Sequence, residues 1–145
     1  MQVRHILQDK GRAIVAIAES ATLADAARML AQHRIGAVIV QDVGGGLSGI
    51  LSERDVVRAI ADDGPLSLGR GVGPYMTRNV VTCVDSDTVD GLMEVMTRGR
   101  FRHVPVLDAH QKLAGLISIG DVVKSRIAET EREANSLRDY ISATA

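Results

Sequence analysis

Gly115-Leu116-Ile117-Ser118-Ile119-Gly120-Asp121 answers, 66 positions on, to Gly49-Ile50-Leu51-Ser52-Glu53-Arg54-Asp55. Each copy is a glycine, two aliphatics, a serine and, three residues later, an aspartate, followed by Val-Val and a basic residue. The aliphatic run reads as a short buried strand, and Ser-x-x-Asp reads as the opening of a helix. A strand running into a helix N-terminus presents orphan N–H groups and a positive dipole end, which suits an anion. The same residues also read as plain caps, with Ser52 and Ser118 as N-caps and Asp55 and Asp121 as capping-box partners, and that reading needs no ligand.

The duplication extends well beyond this stretch. A shift of 66 places Val15 on Val81, Ser20 on Ser86, Thr22 on Thr88, Arg34 on Arg100, Val38 on Val104, Val40 on Val106, Asp42 on Asp108 and Leu47 on Leu113, without a gap. Both copies therefore share every loop length. Ile14–Ala18 and Val80–Val84 are short β-rich runs. A helix opens at Thr22 and runs to about His33, with Leu23, Ala26, Ala27 and Leu30 on one face; its twin opens at Thr88 with Val89, Leu92, Met93 and Met96. Ala37–Val40 and His103–Leu107 are strands, each joined to the next by a hairpin. The hairpin glycines Gly44-Gly45-Gly46 form a flexible turn, because a phosphate loop would need Lys and Ser or Thr opening a helix.

The Gly- and Pro-rich stretch 63–79 reads as a linker. Its Gly69, Gly71 and Gly73 lack the preceding strand and the spacing of a dinucleotide fingerprint. The expected organisation is a lead-in over 1–13, repeat one over 14–62, the linker over 63–79, repeat two over 80–128 and a helical extension over 129–145. In that extension Val123, Ile127, Thr130, Ala134, Leu137 and Ile141 alternate steps of four and three. This heptad-like stripe reads as a helix packed on its own domain or, being long for that, as one that meets a partner helix, and so a homodimer.

Hydrophobic residues make up 46% of the 145, so a core can form, but it must be aliphatic because Tyr75, Phe101 and Tyr140 are the only aromatics. A formal charge of −1 offers no general attraction to nucleic acid or an anionic membrane. No run is long enough to span a bilayer and no signal peptide opens the chain, so a cytoplasmic protein is expected. Cys83 is alone and reads as an inert buried thiol. His5, His33 and His110 lack ligand spacing, so no metal site is expected.

Two β-α-β-β-α units in tandem, each ending in Gly-h-x-Ser-x-x-Asp, resemble the paired CBS domains of a Bateman module. The run Arg98–Val106 followed by Ile117–Lys124 is similar to that of stand-alone bacterial two-CBS proteins. The resemblance implies an α/β (α+β) fold, with the repeats packed about a pseudo-twofold axis and adenine nucleotides bound in two clefts. AMP and NAD(H) rank first, ATP or ADP next, and S-adenosylmethionine also occurs in the family.

Carried over by position, the ribose-binding aspartates fall on Asp55 and Asp121, and the nearby hydroxyls on Ser52 and Ser118. The base-facing backbone falls on Ala16, Ile17 and Ala18, and on Thr82 and Cys83. The turn into the second strand gives Gly36 and Ala37 in repeat one. In repeat two, Arg100, Arg102 and His103 border the cleft, with Pro105 following, and Arg102 and His103 read equally as a solvated basic turn. Arg54 has no twin, since Gly120 stands there. With no nucleophile beside a base and no clustered ligands, an enzyme is the poorest reading. A regulatory module that senses adenylates or nicotinamide nucleotides and acts on a protein partner is the leading one. A structural dimerisation module with empty clefts is the alternative.

Overall fold

The computed structural model describes residues 1–144. Its elements are α1 (Val3–Lys10), β1 (Ala16–Ala18), α2 (Leu23–His33), β2 (Ala37–Gln41), β3 (Leu47–Ser52), α3 (Glu53–Asp63), α4 (Val89–Gly99), β4 (His103–Leu107), β5 (Leu113–Ser118) and α5 (Ile119–Thr144), with a 3-10 turn over Pro65–Gly69 between α3 and α4. The class is α+β. The described residues resolve into two compact units, one of residues 13–81 and 109–114 and the other of 1–12, 82–108 and 115–144.

In the first unit the sheet order is β1-β2-β3. β1 lies parallel to β2, with Ile17 opposite Val40, and β3 lies antiparallel, with Ala37 opposite Ser52. The core beneath this sheet joins Leu23, Ala26 and Leu30 of α2 to Val38, Val40 and Leu51 of the strands and Val56 and Ala59 of α3. Val72 and Met76, from the stretch expected to be only a linker, complete it.

The second unit repeats this plan. Val89, Leu92 and Met96 stand 66 positions after Leu23, Ala26 and Leu30, and Val104, Val106, Ile117 and Val122 after Val38, Val40, Leu51 and Val56; all are buried. The part played by Val72 and Met76 falls here to Val3 and Leu7 of α1. The backbone bonds confirm the equivalence. Val72 N–H donates to Ala21 O and Leu23 N–H to Arg70 O, while Val3 N–H donates to Asp87 O and Val89 N–H to Met1 O, all at 2.9 Å.

The lead-in of repeat one therefore completes the unit built from repeat two, and the linker completes the unit built from repeat one. The first glycine of each motif is where the completing segment arrives. A Cβ on Gly115 would stand 2.6 Å from Leu7 Cδ2, and one on Gly49 would stand 2.6 Å from Thr77 O and 2.9 Å from Met76 Sδ.

The strand expected over 80–84 does not form. Cys83 alone bridges Val106, with Cys83 N–H donating to Pro105 O and Leu107 N–H to Cys83 O. In repeat one the ladder begins one bond earlier, where Ile39 N–H donates to Val15 O. Pro105 stands at the position of Ile39 and has no N–H to offer, so the ladder loses that bond. Val84 N–H turns instead to the Asp87 carboxylate, at 2.9 Å.

Candidate functional site

Each Ser-x-x-Asp motif forms the junction it was expected to form. In the first unit, Asp55 N–H donates to Ser52 Oγ at 3.2 Å and Ser52 N–H donates to Asp55 Oδ2 at 2.9 Å. In the second, Asp121 N–H donates to Ser118 Oγ at 3.2 Å and Ser118 N–H to Asp121 Oδ2 at 2.8 Å. Both are reciprocal capping boxes, which tie the end of the strand to the first turn of α3 or α5.

The cap uses Oδ2 in both copies. Among the described residues no hydrogen bond reaches Oδ1 of either aspartate. Capping and ligand binding are thus compatible, because one carboxylate oxygen serves the helix and the other can accept from a hydroxyl.

The next residue of each helix secures the turn that precedes the middle strand. Glu53 N–H donates to Gly36 O at 2.9 Å, and Ile119 N–H donates to Arg102 O at 2.7 Å. Ser52 lies opposite Ala37 in the sheet, so Gly36, Ala37, Ser52 and Asp55 converge at one sheet end. Arg54 is exposed on the first turn of α3. In the second unit Arg102 precedes β4 and His103 opens it, and the Ile119–Arg102 bond ties this turn to the start of α5. Arg100 is the left-handed C-cap of α4, at φ 57°, as Arg34 is of α2 at 53°.

The β1 residues are spread along the sheet. Ala16 pairs with Ile39, Ile17 with Val40 and Ala18 with Gln41. Gln41 is four residues along β2 from Ala37, about 13 Å at ~3.3 Å per residue. The residues nearest the Ser52 end are Ile14 and Val15, just before the strand. Thr82 is exposed, Pro105 is buried, and Cys83 is 5% exposed. Burial, with Asp87 and Asp85 adding repulsion, pushes the Cys83 thiol up to about 12, so it stays protonated and unreactive.

The two aspartates differ in one respect that the sequence did not suggest. Lys10, at the end of α1, donates to Asp121 Oδ2 at 2.7 Å and to Leu116 O at 2.8 Å. Burial pushes the Asp121 carboxyl up, but the Lys10 ammonium and the Ser118 N–H outweigh it and hold the group below the ordinary carboxylate range. Among the described residues Asp55 has no cation partner. A cavity of about 130 Å³ opens beside the Lys10–Asp121 pair and is lined also by Lys124, Ser125 and Arg132 of α5. Among the described residues no three His, Cys, Asp or Glu cluster as a metal site, and no helix is long and apolar enough to cross a membrane.

A protein of two units, each a strand-ended helix junction over an aliphatic core and each completed by a segment from outside its own repeat, is a tandem α+β repeat module. The CBS domain family model matches residues 3–62 and 72–128, and the chain belongs to that family. Each match begins at the completing segment, Val3 or Val72. A CBS-domain-containing protein of Agrobacterium tumefaciens is 50% identical, with a TM-score of 0.83 over 86% of this chain and 92% of that one. A CBS domain protein of Pyrobaculum aerophilum complexed with AMP is 29% identical, with a TM-score of 0.75 over 83% of this chain and 89% of that one. The mitochondrial CBS domain-containing protein CBSX3 of Arabidopsis thaliana is 36% identical over 83% of this chain, which spans 60% of that protein's length.

Proposed function

We propose that this chain is a regulatory module that binds an adenine nucleotide at each Ser-x-x-Asp junction and passes the occupancy to a protein partner. The observation that carries the reading is the duplicated junction, where Asp55 and Asp121 each keep Oδ1 beside a helix N-terminus. A ribose hydroxyl suits that oxygen, and a phosphate suits the N–H groups of the first turn. AMP in the relative from Pyrobaculum aerophilum supports the ligand class. AMP and NAD(H) are the first ligands to test and ATP or ADP the next, because Arg54, Arg102 and His103 add donors for phosphate. Catalysis is not part of this reading, and neither are nucleic acid and membrane; a cytoplasmic homodimer is.

Isothermal titration with AMP, NAD(H), ATP and ADP tests it directly. Heat with a dissociation constant in the micromolar range is the expected result for at least one of them. Silence with all of them at millimolar concentration would leave the structural dimerisation reading in its place. An ultraviolet spectrum is a quick check, since Tyr75 and Tyr140 absorb weakly and no Trp is present, so a co-purified nucleotide would dominate it.

A further inference from the structure

Helix α5 has one face that its own unit uses and one that it does not. Val122 is buried, Asp121 bonds to Lys10 of α1, Ser125 bonds to Met1 ahead of α1, and Arg126 reaches Asp90 of α4 at 3.1 Å. The stripe of Val123, Ile127, Thr130, Ala134, Leu137 and Ile141 is centred about 100° round the helix from Val122, at ~100° per residue. Val123 is 47% exposed, Ile127 55%, Leu137 61% and Ile141 57%. Every residue from 130 to 143 is exposed, although all are helical. A helical stretch of that length exposed to water on every side is marginal, and most helical stability comes from packing an amphipathic face.

The stripe follows a heptad, with Ile127, Ala134 and Ile141 at its a positions and Val123, Thr130 and Leu137 at d. The flanking e positions are Lys124, Glu131 and Arg138, and the g positions are Arg126, Glu133 and Tyr140. In a parallel, in-register pair each g residue faces the e residue five places on in the other helix. That sets Glu133 against Arg138, a pairing of opposite sign that the twofold doubles, while Arg126, held by Asp90 and Glu129 of its own chain, stands level with Glu131 of the other. Ile127 and Ile141 at a and Leu137 at d are also the residues a two-stranded pair favours.

We infer that two copies of this chain associate through α5 as a parallel, in-register two-stranded coiled coil, zipped along the 123–141 stripe. The inference rests on the dimer part of the function proposed above and adds its geometry. It is independent of nucleotide binding. It also makes the C-terminal half of α5 a rigid stalk projecting from the paired copies rather than a free arm.

Cross-linking and charge reversal on the full-length chain test it. In Leu137→Cys, mild oxidation should yield a disulfide-linked dimer, because only the parallel register brings position 137 against itself along the whole stripe. Ser136→Cys, on the far side of the helix, should not cross-link. Glu133→Arg should weaken dimerisation by about 10-fold, Arg138→Glu should do the same, and the double reversal should recover most of the loss, since opposed charges are restored. These positions are exposed, so the fold should be unaffected, and circular dichroism would check that. Monomer at ~100 μM in light scattering would overturn both the dimer and its geometry, since a functional homodimer should persist there. A dimer that neither cross-links through Leu137→Cys nor responds to the double reversal would overturn the geometry alone.

Discussion

At residue scale, Gly49 and Gly115 do the same job with different tolerance. A methyl on Gly49 meets the Thr77 carbonyl, part of the backbone bridge in which Ile50 and Thr77 exchange both hydrogen bonds, and cannot be accommodated without moving that bridge. A methyl on Gly115 meets only the end of the Leu7 side chain, which can rotate away. Gly49→Ala should therefore cost about 2–3 kcal/mol and Gly115→Ala about 1 kcal/mol or less, as read by urea unfolding. Equal costs would mean that Leu7 is held as rigidly as backbone.

The Lys10–Asp121 pair gives a second residue-scale prediction. The Asp121 carboxyl is lowered in the folded protein, so its contribution is present above the ordinary carboxylate value and lost as pH falls through the lower folded value. Lys10→Met leaves the carboxylate partly buried with only its cap. The variant should be less stable at neutral pH by up to ~1 kcal/mol, a modest figure because the pair is partly solvated. The gap should close below about pH 3.8, the ordinary value of the group. Denaturant midpoints at neutral pH and at pH ~3 would show it, and a gap independent of pH would assign the Lys10 effect to packing.

At the scale of elements, α1 and the 72–77 segment are equivalents that complete different units. Leu7 is 1% exposed in one core and Met76 8% in the other. Leu7→Ala should cost about 2–4 kcal/mol and loosen α4, β4 and β5, whereas Met76→Ala should loosen α2, β2 and β3. Hydrogen exchange resolved by peptide would separate the two patterns. Loss of protection around β1 to β3 in Leu7→Ala would show that the units unfold together.

The elements also show why one expectation failed. The strand over 80–84 carries the right β-branched residues, and its composition matches that of repeat one. What removed it was a partner 24 positions away: Pro105 offers no N–H to the Val81 carbonyl, and strand pairing depends on both chains. Conversely, the capping boxes at Thr22/Asp25, Ser52/Asp55 and Ser118/Asp121 were readable from spacing alone, because a cap involves residues only three apart. Gly91 replaces the aspartate in α4, so Thr88 caps that helix without a return bond from a side chain at 91.

At the scale of the molecule, two junctions of the same design should bind independently unless the units are coupled. Asp55→Asn and Asp121→Asn should each abolish or weaken one class of site by roughly 10- to 100-fold, leaving half of the calorimetric stoichiometry. Asparagine keeps an oxygen for the cap, so melting of the empty protein should change little in Asp55→Asn, while Asp121→Asn also loses the charge partner of Lys10 and should melt somewhat lower at neutral pH. Unchanged stoichiometry and affinity in both variants would reduce the aspartates to helix caps. Because Lys10 already occupies Asp121 Oδ2, affinity at this junction should also respond to Lys10→Met, while that at Asp55 should not.

The sequence by itself determined the duplication, the order of elements within each repeat apart from the strand missing at 80–84, the capped strand-to-helix junctions and the stripe on α5. These rest on short-range spacing, which the chain carries along its own length. Only the tertiary structure decided that the lead-in and the linker are core-forming segments, and which repeat each one serves. It also brought Lys10 to a carboxylate 111 residues away and left Oδ1 of each aspartate outside its cap. Nothing local marks such contacts: Val3, Leu7, Val72 and Met76 are ordinary apolar residues until a glycine in a distant strand makes room for them.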